Sequence, residues 1–187
     1  MISQVRLLRA VQALRAGELI AYPTEGVWGL GCDPHNAEAV FNLLALKRRP
    51  IEKGLILVAA SIAQLAPYLE GLNNKQLDTL QQSWPGPNTW LVAANHHVPL
   101  WISGGQPTVA LRVSAHPVVQ ALCSAYGGAI VSTSANISGK QAAKSLLDVQ
   151  LQFSTKSNRV ILLPGALGKA GKASTIRDLQ TGKVIRS

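Results

Sequence analysis

The sequence predicts a single α/β domain, built on a mixed β-sheet with helices packed against it. Three observations support this prediction. Short apolar runs typical of buried strands alternate along the chain with segments whose apolar residues recur at helical spacing. The length of 187 residues suits one domain with a substantial core, so we expect residues 1–187 to form one unit. Hydrophobic residues make up 47% of the chain and charged residues only 14%, which favours compact folding.

The first elements can be placed from their end signals. Residues 5–16 carry apolar side chains at helical spacing, and Gly17 is typical of the position that follows a helix. The run ELIAYP, residues 18–23, predicts a short strand. The glycine-rich run over residues 26–31 is interpreted as a loop, which is either an ordinary glycine turn or a place where the backbone approaches a ligand. The G-x-G-x-x-G register of a dinucleotide site fails there, because Pro34 occupies the last glycine position.

The remaining elements continue the alternation. Asn36 is a typical N-cap for a second helix, which we expect Pro50 to stop. Strand-like runs near the C-terminus are spaced like hairpins, so we expect the sheet to include antiparallel pairs. The predicted helices cover residues 73–83 and 116–128, and the predicted strands lie within residues 54–60, 88–95, 108–113, 129–134, 159–165, 173–179 and 182–187.

The charge balance predicts an anionic partner. Eighteen Lys and Arg against nine Asp and Glu give a net charge of +9, which favours nucleic acid, nucleotide or phosphate. No apolar run approaches the ~20 residues of a membrane span, and no basic amphipathic helix with a strong apolar face stands out, so we expect no membrane contact. Cys32 and Cys123 are isolated, as in proteins of a reducing cytoplasm, where we expect this chain to be located.

A run of three cations, Lys47-Arg48-Arg49, ends the second predicted helix. Such residues commonly complement the negative end of the helix dipole, and that interpretation is the more probable one for the run alone. Its position just before a core strand favours a second interpretation, because ligand clefts of α/β sheets open at such junctions.

Two further segments carry short polar side chains directly after a strand. Thr24 supplies a hydroxyl at the end of the first strand. Ser132, Ser134 and Asn136 belong to a dense group of donors after the strand at 129–134, which resembles an anion-binding nest. We expect these hydroxyls and the cations to converge at one end of the sheet. We expect no metal site from side chains, since His96 and His97 adjoin each other and cannot share a helix face.

Several of these segments closely resemble the YrdC/TsaC family, the threonylcarbamoyl-AMP synthases. The resemblance is carried by AYPTEGVWGLGCDP, LKRRPIEKGLILVAA, WPGP, VALRVSAHPVV and VSTSANISGK, and it extends over nearly the whole chain. It implies a twisted open α/β sheet with a positively charged concave face. It also implies synthesis of L-threonylcarbamoyladenylate from L-threonine, bicarbonate and ATP, with release of pyrophosphate, for the N6-threonylcarbamoyl modification of adenosine 37 in tRNAs that read codons beginning with A.

The resemblance assigns expected roles to individual positions. The family's K-x-R falls on Lys47 and Arg49, and its S-x-N on Ser134 and Asn136, as catalytic and ATP-binding residues. Mg²⁺ would accompany the ATP phosphates, without side-chain ligands. The resemblance also places Thr24 and Arg112 at the threonine, and Lys53, Ser132 and Ser174 at the nucleotide.

Two alternatives stay open at this point. A chain of charge +9 with a basic face could be an RNA-binding module, although no RNP, KH or Arg-rich tract occurs. A carbamoyl-transfer domain of related fold, acting on another amine, is a weaker possibility. An enzyme of this kind would also meet tRNA, either directly or through the downstream threonylcarbamoyl transferase complex.

Overall fold

The computed structural model describes residues 2–153, 160–168 and 174–187 of the chain. Within these ranges the strands are β1 Leu19–Pro23, β2 Trp28–Gly31, β3 Ile56–Ala59, β4 Asn88–Ala93, β5 Thr108–Val113, β6 Ile130–Ser134, β7 Val160–Leu162, β8 Thr175–Asp178 and β9 Val184–Arg186. The helices are α1 Gln4–Arg15, α2 Ala37–Lys47, α3 Asn74–Ser83, α4 Leu100–Ser103, α5 Pro117–Tyr126 and α6 Leu146–Phe153. None of the helices in these ranges is long and apolar enough to cross a bilayer.

The nine described strands form one mixed sheet in the order β7-β1-β2-β6-β3-β5-β4-β8-β9. The pairs β1–β7, β3–β5 and β4–β8 are parallel, and the other neighbours are antiparallel. The predicted α/β class with a mixed sheet and an antiparallel C-terminal pair is therefore confirmed. A single domain over residues 1–187 and a positively charged concave face stay predictions.

Helices pack on both faces of the sheet, which explains why strands such as β1 and β3 carry apolar residues on both faces. In β1, Ile20 and Tyr22 pack with α1 and α5, whereas Ala21 packs in the larger cluster on the opposite face together with α2 and α3. Alternate residues of one strand therefore belong to two different hydrophobic clusters.

The glycine-rich run at residues 26–31 is a strand over most of its length and not the predicted loop. β2 pairs with β1 on one side and with β6 on the other, where Gly29 lies opposite Ser134. Gly29 and Gly31 lie against the ring of Tyr22, and a Cβ atom at Gly31 would overlap the backbone oxygen of Val131. These glycines therefore serve close packing within the sheet, a need that the sequence pattern does not separate from a turn.

The second helix begins as predicted and ends earlier. The Asn36 side chain accepts a hydrogen bond from the backbone of Ala39 at 3.0 Å, as expected of an N-cap. At the other end α2 stops at Lys47, because Arg48 adopts a left-handed conformation with φ of 51°. Pro50 then precedes a 3₁₀ turn at Ile51–Lys53 instead of stopping the helix itself. The reversal at Arg48 sends Lys47 and Arg49 into different surroundings.

Candidate active site

A cleft of about 110 Å³ collects many of the predicted site residues. Strand register places the cleft over one face of the sheet. In β3, Ile56 pairs with Ser132 of β6, and Val58, two residues later, pairs with Arg112 of β5. Ser132 and Arg112 therefore lie on the same face. The expected convergence of hydroxyls and cations is seen in this lining, because β1 and β6 end, and β3 begins, at the same edge of the sheet. The cleft is lined by Thr24, Val27, Trp28, Gly29, Arg49, Arg112, Ser132, Thr133, Ser134, Ser174 and Arg186.

Three arginines contribute to this cleft. Arg49 donates from Nη2 to the backbone oxygen of Gly54 at 2.8 Å, while its buried Nε has no hydrogen-bond partner among the described residues. Burial lowers the pKa of Arg49, and the nearby charge of Arg186 lowers it further. Arg186 donates to the backbone oxygen of Ser174 at 3.2 Å. Two guanidinium groups that repel each other in a partly buried cleft favour an anion between them.

The third arginine is paired with a carboxylate. Arg112 donates from Nε to the Gly86 backbone oxygen at 2.9 Å, and its Nη2 forms an ion pair with Oε1 of Glu25. The same carboxylate oxygen accepts hydrogen bonds from Ser114 Oγ at 2.8 Å and from the Ala115 amide at 3.1 Å. Burial alone would raise the pKa of Glu25, but the charge of Arg112 and the Ser114 hydrogen bond outweigh it and lower the pKa.

Lys47 lies beneath the site and not in its lining. Only 3% of the residue is exposed, and its Nζ donates to the backbone oxygens of Ser134 and Asn136, the latter at 2.7 Å. Desolvation lowers the pKa of Lys47 to about 8, with the charge of Arg49 as a second cause. The end of α2 is thereby fixed to the loop that follows β6.

Within that loop, Ser134 and Asn136 contact each other. Ser134 Oγ donates to Asn136 Oδ1 at 2.6 Å, and the Asn136 amide donates to the backbone oxygens of Ile137 and Lys140. Ser134 lines the cleft, while Asn136 is a half-buried residue that supports it from behind. The S-x-N pair is therefore joined by a hydrogen bond between its two side chains, and the Lys47 ammonium binds the backbone oxygens of both residues.

The other predicted residues divide into two groups. Thr24 lines the cleft and donates from its hydroxyl to the Val27 backbone oxygen at 2.7 Å. Ser174 lines it as well, with its hydroxyl 2.8 Å from that of Thr89, and Ser132 is part of the same lining. Lys53 and Arg48 are exposed and contribute no side chain to the lining. Of the three consecutive cations, Arg49 is the one that lines the cleft.

Sequence reasoning missed Glu25 and Arg186. Glu25 stands in the PTEG segment, but no local pattern links it to Arg112, which follows 87 positions later in the chain. Arg186 reaches the site because β9 pairs back onto β8, so it too carries no local signal. The described lining offers hydroxyls and guanidinium groups but no carboxylate, so Mg²⁺ would reach it on a ligand's own phosphates.

A larger groove of about 830 Å³ does not gather the predicted residues. It is bordered by α3, β4 and the segment after β8, and its only charged lining residues are Lys75 and Asp178. Volume alone would favour this groove, but its charge and chemistry do not point to an anionic substrate. The smaller cleft is therefore the candidate active site.

Comparison with known proteins identifies the family of this chain. The Sua5/YciO/YrdC family model, described as "Telomere recombination", matches residues 12–187. A protein of Halorhodospira halophila named threonylcarbamoyl-AMP synthase is 52% identical over 181 residues, covering 97% of this chain and 94% of its own. Among solved structures, E. coli YciO matches with a TM-score of 0.86 at 25% identity, over 99% of this chain and 90% of its own.

A second matching structure was solved with a bound ligand. P. abyssi Sua5 complexed with L-threonine matches with a TM-score of 0.89 at 32% identity, over 98% of this chain. The match covers 54% of the Sua5 chain, so the present chain spans about half of that protein. With a family match over nearly its whole length and a relative of 52% identity, this chain belongs to the Sua5/YciO/YrdC family.

Proposed function

We propose that this protein synthesises L-threonylcarbamoyladenylate from L-threonine, bicarbonate and ATP, with release of pyrophosphate, for the threonylcarbamoyl modification of adenosine 37 in tRNA. The observation that carries the proposal is the cleft in which Arg49, Arg112 and Arg186 meet a row of hydroxyls. Its chemistry suits two anionic reactants, and relatives of about 50% identity over the full chain carry the name of this enzyme.

The threonine end of the cleft is assigned to Thr24 and Arg112. Arg112 is held on two sides, by the Gly86 backbone oxygen and by Glu25, so its guanidinium is already oriented before a carboxylate binds. A volume of about 110 Å³ lies well below the ~300–1,000 Å³ of a typical small-molecule pocket, so the cleft would hold only part of the two substrates. Threonine binding by the related P. abyssi Sua5 supports this assignment.

The nucleotide end is assigned to Arg49, Ser132, Ser134 and Ser174, with Arg186 added from the structure. Arg49 and Arg186 form the most positive part of the lining and are placed at the triphosphate. The Lys53 side chain is exposed, and its backbone oxygen accepts a hydrogen bond from Arg49. From this position Lys53 could reach a phosphate that extends out of the small cleft. Mg²⁺ is placed on the phosphates of ATP, where it would neutralise charge.

The reaction needs charge neutralisation more than it needs a protein nucleophile. The threonine amine attacks the carbon of bicarbonate, and the C–N bond forms as one C–O bond breaks and water leaves, which gives a carbamate. A carbamate oxygen then attacks the α-phosphorus of ATP while the bond from that phosphorus to pyrophosphate breaks. Arg49 and Arg186 would lower the repulsion between these anions and stabilise the leaving pyrophosphate, and one fixed donor of this kind is worth about 3–4 kcal/mol. Lys47 and Asn136 would act by fixing Ser134, which they contact from behind.

An RNA-binding module is not favoured as the main function, because the relatives are named as enzymes. The basic charge also suits contact with tRNA, directly or through the downstream transferase complex, and both this contact and a cytoplasmic location belong to the proposal.

The proposal is tested by measuring pyrophosphate release from purified protein. We expect release to require ATP, L-threonine and bicarbonate together, and mass spectrometry to detect threonylcarbamoyladenylate. Pyrophosphate release without threonine, or the absence of the product with all three substrates present, would contradict the proposal. A parallel thermal-shift measurement tests the alternative. A salt-dependent shift with tRNA, in protein that shows no shift with ATP and threonine and forms no product, would indicate an RNA-binding module.

The neighbouring arginines offer a matched pair of variants. We expect Arg49→Gln to lower kcat/KM for ATP by about 100-fold or more, because it removes a guanidinium aimed at the phosphates. Arg48→Gln removes the same charge from an exposed position, so we expect less than about a twofold change. Equal losses in the two variants would show that only the general positive charge matters.

The Glu25–Arg112 pair allows the substrate role to be separated from stability. We expect Arg112→Ala to raise the threonine KM at least about tenfold and to lower the free energy of unfolding by about 3 kcal/mol, because Glu25 is left buried without its partner. The double variant Arg112→Ala with Glu25→Gln should regain stability but keep the raised KM. A KM that recovers together with stability would mean that Arg112 does not hold the carboxylate.

The lowered pKa of Lys47 predicts a pH effect on nucleotide binding. Below pH about 8 the ammonium is charged, so affinity for a non-hydrolysable ATP analogue should be highest there and should fall as the proton is lost at higher pH. We expect Lys47→Met to bind more weakly without this pH dependence.

Loss of the Lys47 proton should have the opposite effect on the stability of the fold. Because the pKa of Lys47 is lower in the folded than in the unfolded chain, its contribution to the free energy of unfolding should rise as pH rises above about 8. Nucleotide affinity that stays flat across this pH range in the unaltered protein would show that the charge of Lys47 does not affect nucleotide binding.

A further inference from the structure

A second group of ligating side chains lies outside the candidate active site. Glu70 follows the 3₁₀ helix Ile62–Leu69, and His96 and His97 lie in the turn after β4. One ligand atom from each residue lies within 4.8 Å of the other two, and all three side chains are exposed. None of them lines the cleft at Arg49.

The adjacency of the two histidines does not exclude a shared ion. Neighbouring residues point about 100° apart on a helix, but His96 and His97 lie in a turn, where both rings can face the same side. Their ring centroids are 3.9 Å apart and the ring planes are tilted by 39°. The turn therefore brings together two imidazoles that a helix would separate.

Asn95 holds the two segments of this group together. Its side-chain amide donates to the backbone oxygen of Pro67 at 2.8 Å and, at 3.5 Å, to that of Glu70. Its side-chain oxygen accepts from the His97 backbone amide at 3.0 Å. The positions of Glu70 and His97 are thus fixed by hydrogen bonds that do not use their own side chains, as in a prearranged ligand set.

The simplest interpretation of the contact between Glu70 and His97 is a surface hydrogen bond, since His97 Nε2 and Glu70 Oε2 are 3.0 Å apart. That pair does not account for His96, whose ring lies within the same ligand distance. Two imidazole nitrogens and one carboxylate oxygen form a donor set that suits Zn²⁺, with water completing the tetrahedron.

We propose that Glu70, His96 and His97 bind one Zn²⁺ ion, which joins the end of the 3₁₀ helix to the turn after β4. The bound ion would connect the same two segments that the Asn95 hydrogen bonds already connect. His97 also lines a cavity of about 430 Å³ with His35, Tyr68 and Tyr126, so the ion would lie at the rim of that cavity. The proposal does not depend on the function proposed above, because it concerns other residues and its test measures no activity.

The test is a calorimetric titration of the full, tag-free protein with Zn²⁺ at neutral pH after treatment with chelator. We expect one ion per chain and a melting temperature that rises with Zn²⁺ concentration. His96→Ala should weaken binding at least about tenfold and remove most of the thermal shift. Glu70→Gln, which keeps the side-chain shape, should weaken binding as well.

A matched control comes from another exposed histidine. His35→Ala removes an imidazole that is not part of the group, so Zn²⁺ binding should be unchanged. Cys32 and Cys123 are buried and are not expected to compete for the ion. Visible absorption of bound Co²⁺ supplies a second readout, because tetrahedral coordination should be lost in His96→Ala. Absence of stoichiometric binding, or unchanged binding in His96→Ala, would overturn the proposal.

Discussion

The contact on which the candidate site depends is that of the Lys47 ammonium with the backbone oxygens of Ser134 and Asn136. An ammonium that is 3% exposed is costly to desolvate, and only groups that accept its hydrogen bonds offset that cost. The Ser134 oxygen belongs to the last residue of β6, and the Asn136 oxygen belongs to the turn that follows it. The cation at the end of α2 therefore ties this turn to the end of the strand, next to the Asn136 side chain that accepts the hydrogen bond of the Ser134 hydroxyl.

The charges around this contact are unevenly balanced. Arg112 has the Glu25 carboxylate, whereas Arg49 and Arg186 have only backbone oxygens as described partners. One side of the cleft is thus close to neutral and rigidly paired, while the other keeps an unneutralised positive potential. This asymmetry is consistent with the proposed arrangement, in which a small carboxylate meets the paired Arg112 and a polyphosphate meets Arg49 and Arg186.

Local sequence signals predicted the elements but not the side-chain environment. Asn36 identified a helix start, and apolar runs identified β3 to β6, because N-caps and buried strands depend on neighbouring residues. Gly29 and Gly31 led to the prediction of a loop where a strand forms, because a strand packed tightly on Tyr22 requires the same residue type as a turn. The cationic run alone did not decide between helix-end charges and a ligand site. It also did not predict which cation lines the cleft, because that depends on the left-handed conformation of Arg48. Glu25 and Arg186 meet their partners only through the sheet order, which residue spacing does not encode.

Arg186 belongs to β9, a strand of three exposed residues that pairs only with β8 and forms one edge of the described sheet. Edge strands of this length open and close more readily than central ones, so the free energy of their pairing is small. A phosphate held by Arg186 would add to that free energy, and nucleotide binding would then be linked to the order of β9. Hydrogen exchange at the β8–β9 amides would consequently slow when the triphosphate is bound, which makes this edge of the sheet a sensor of occupancy.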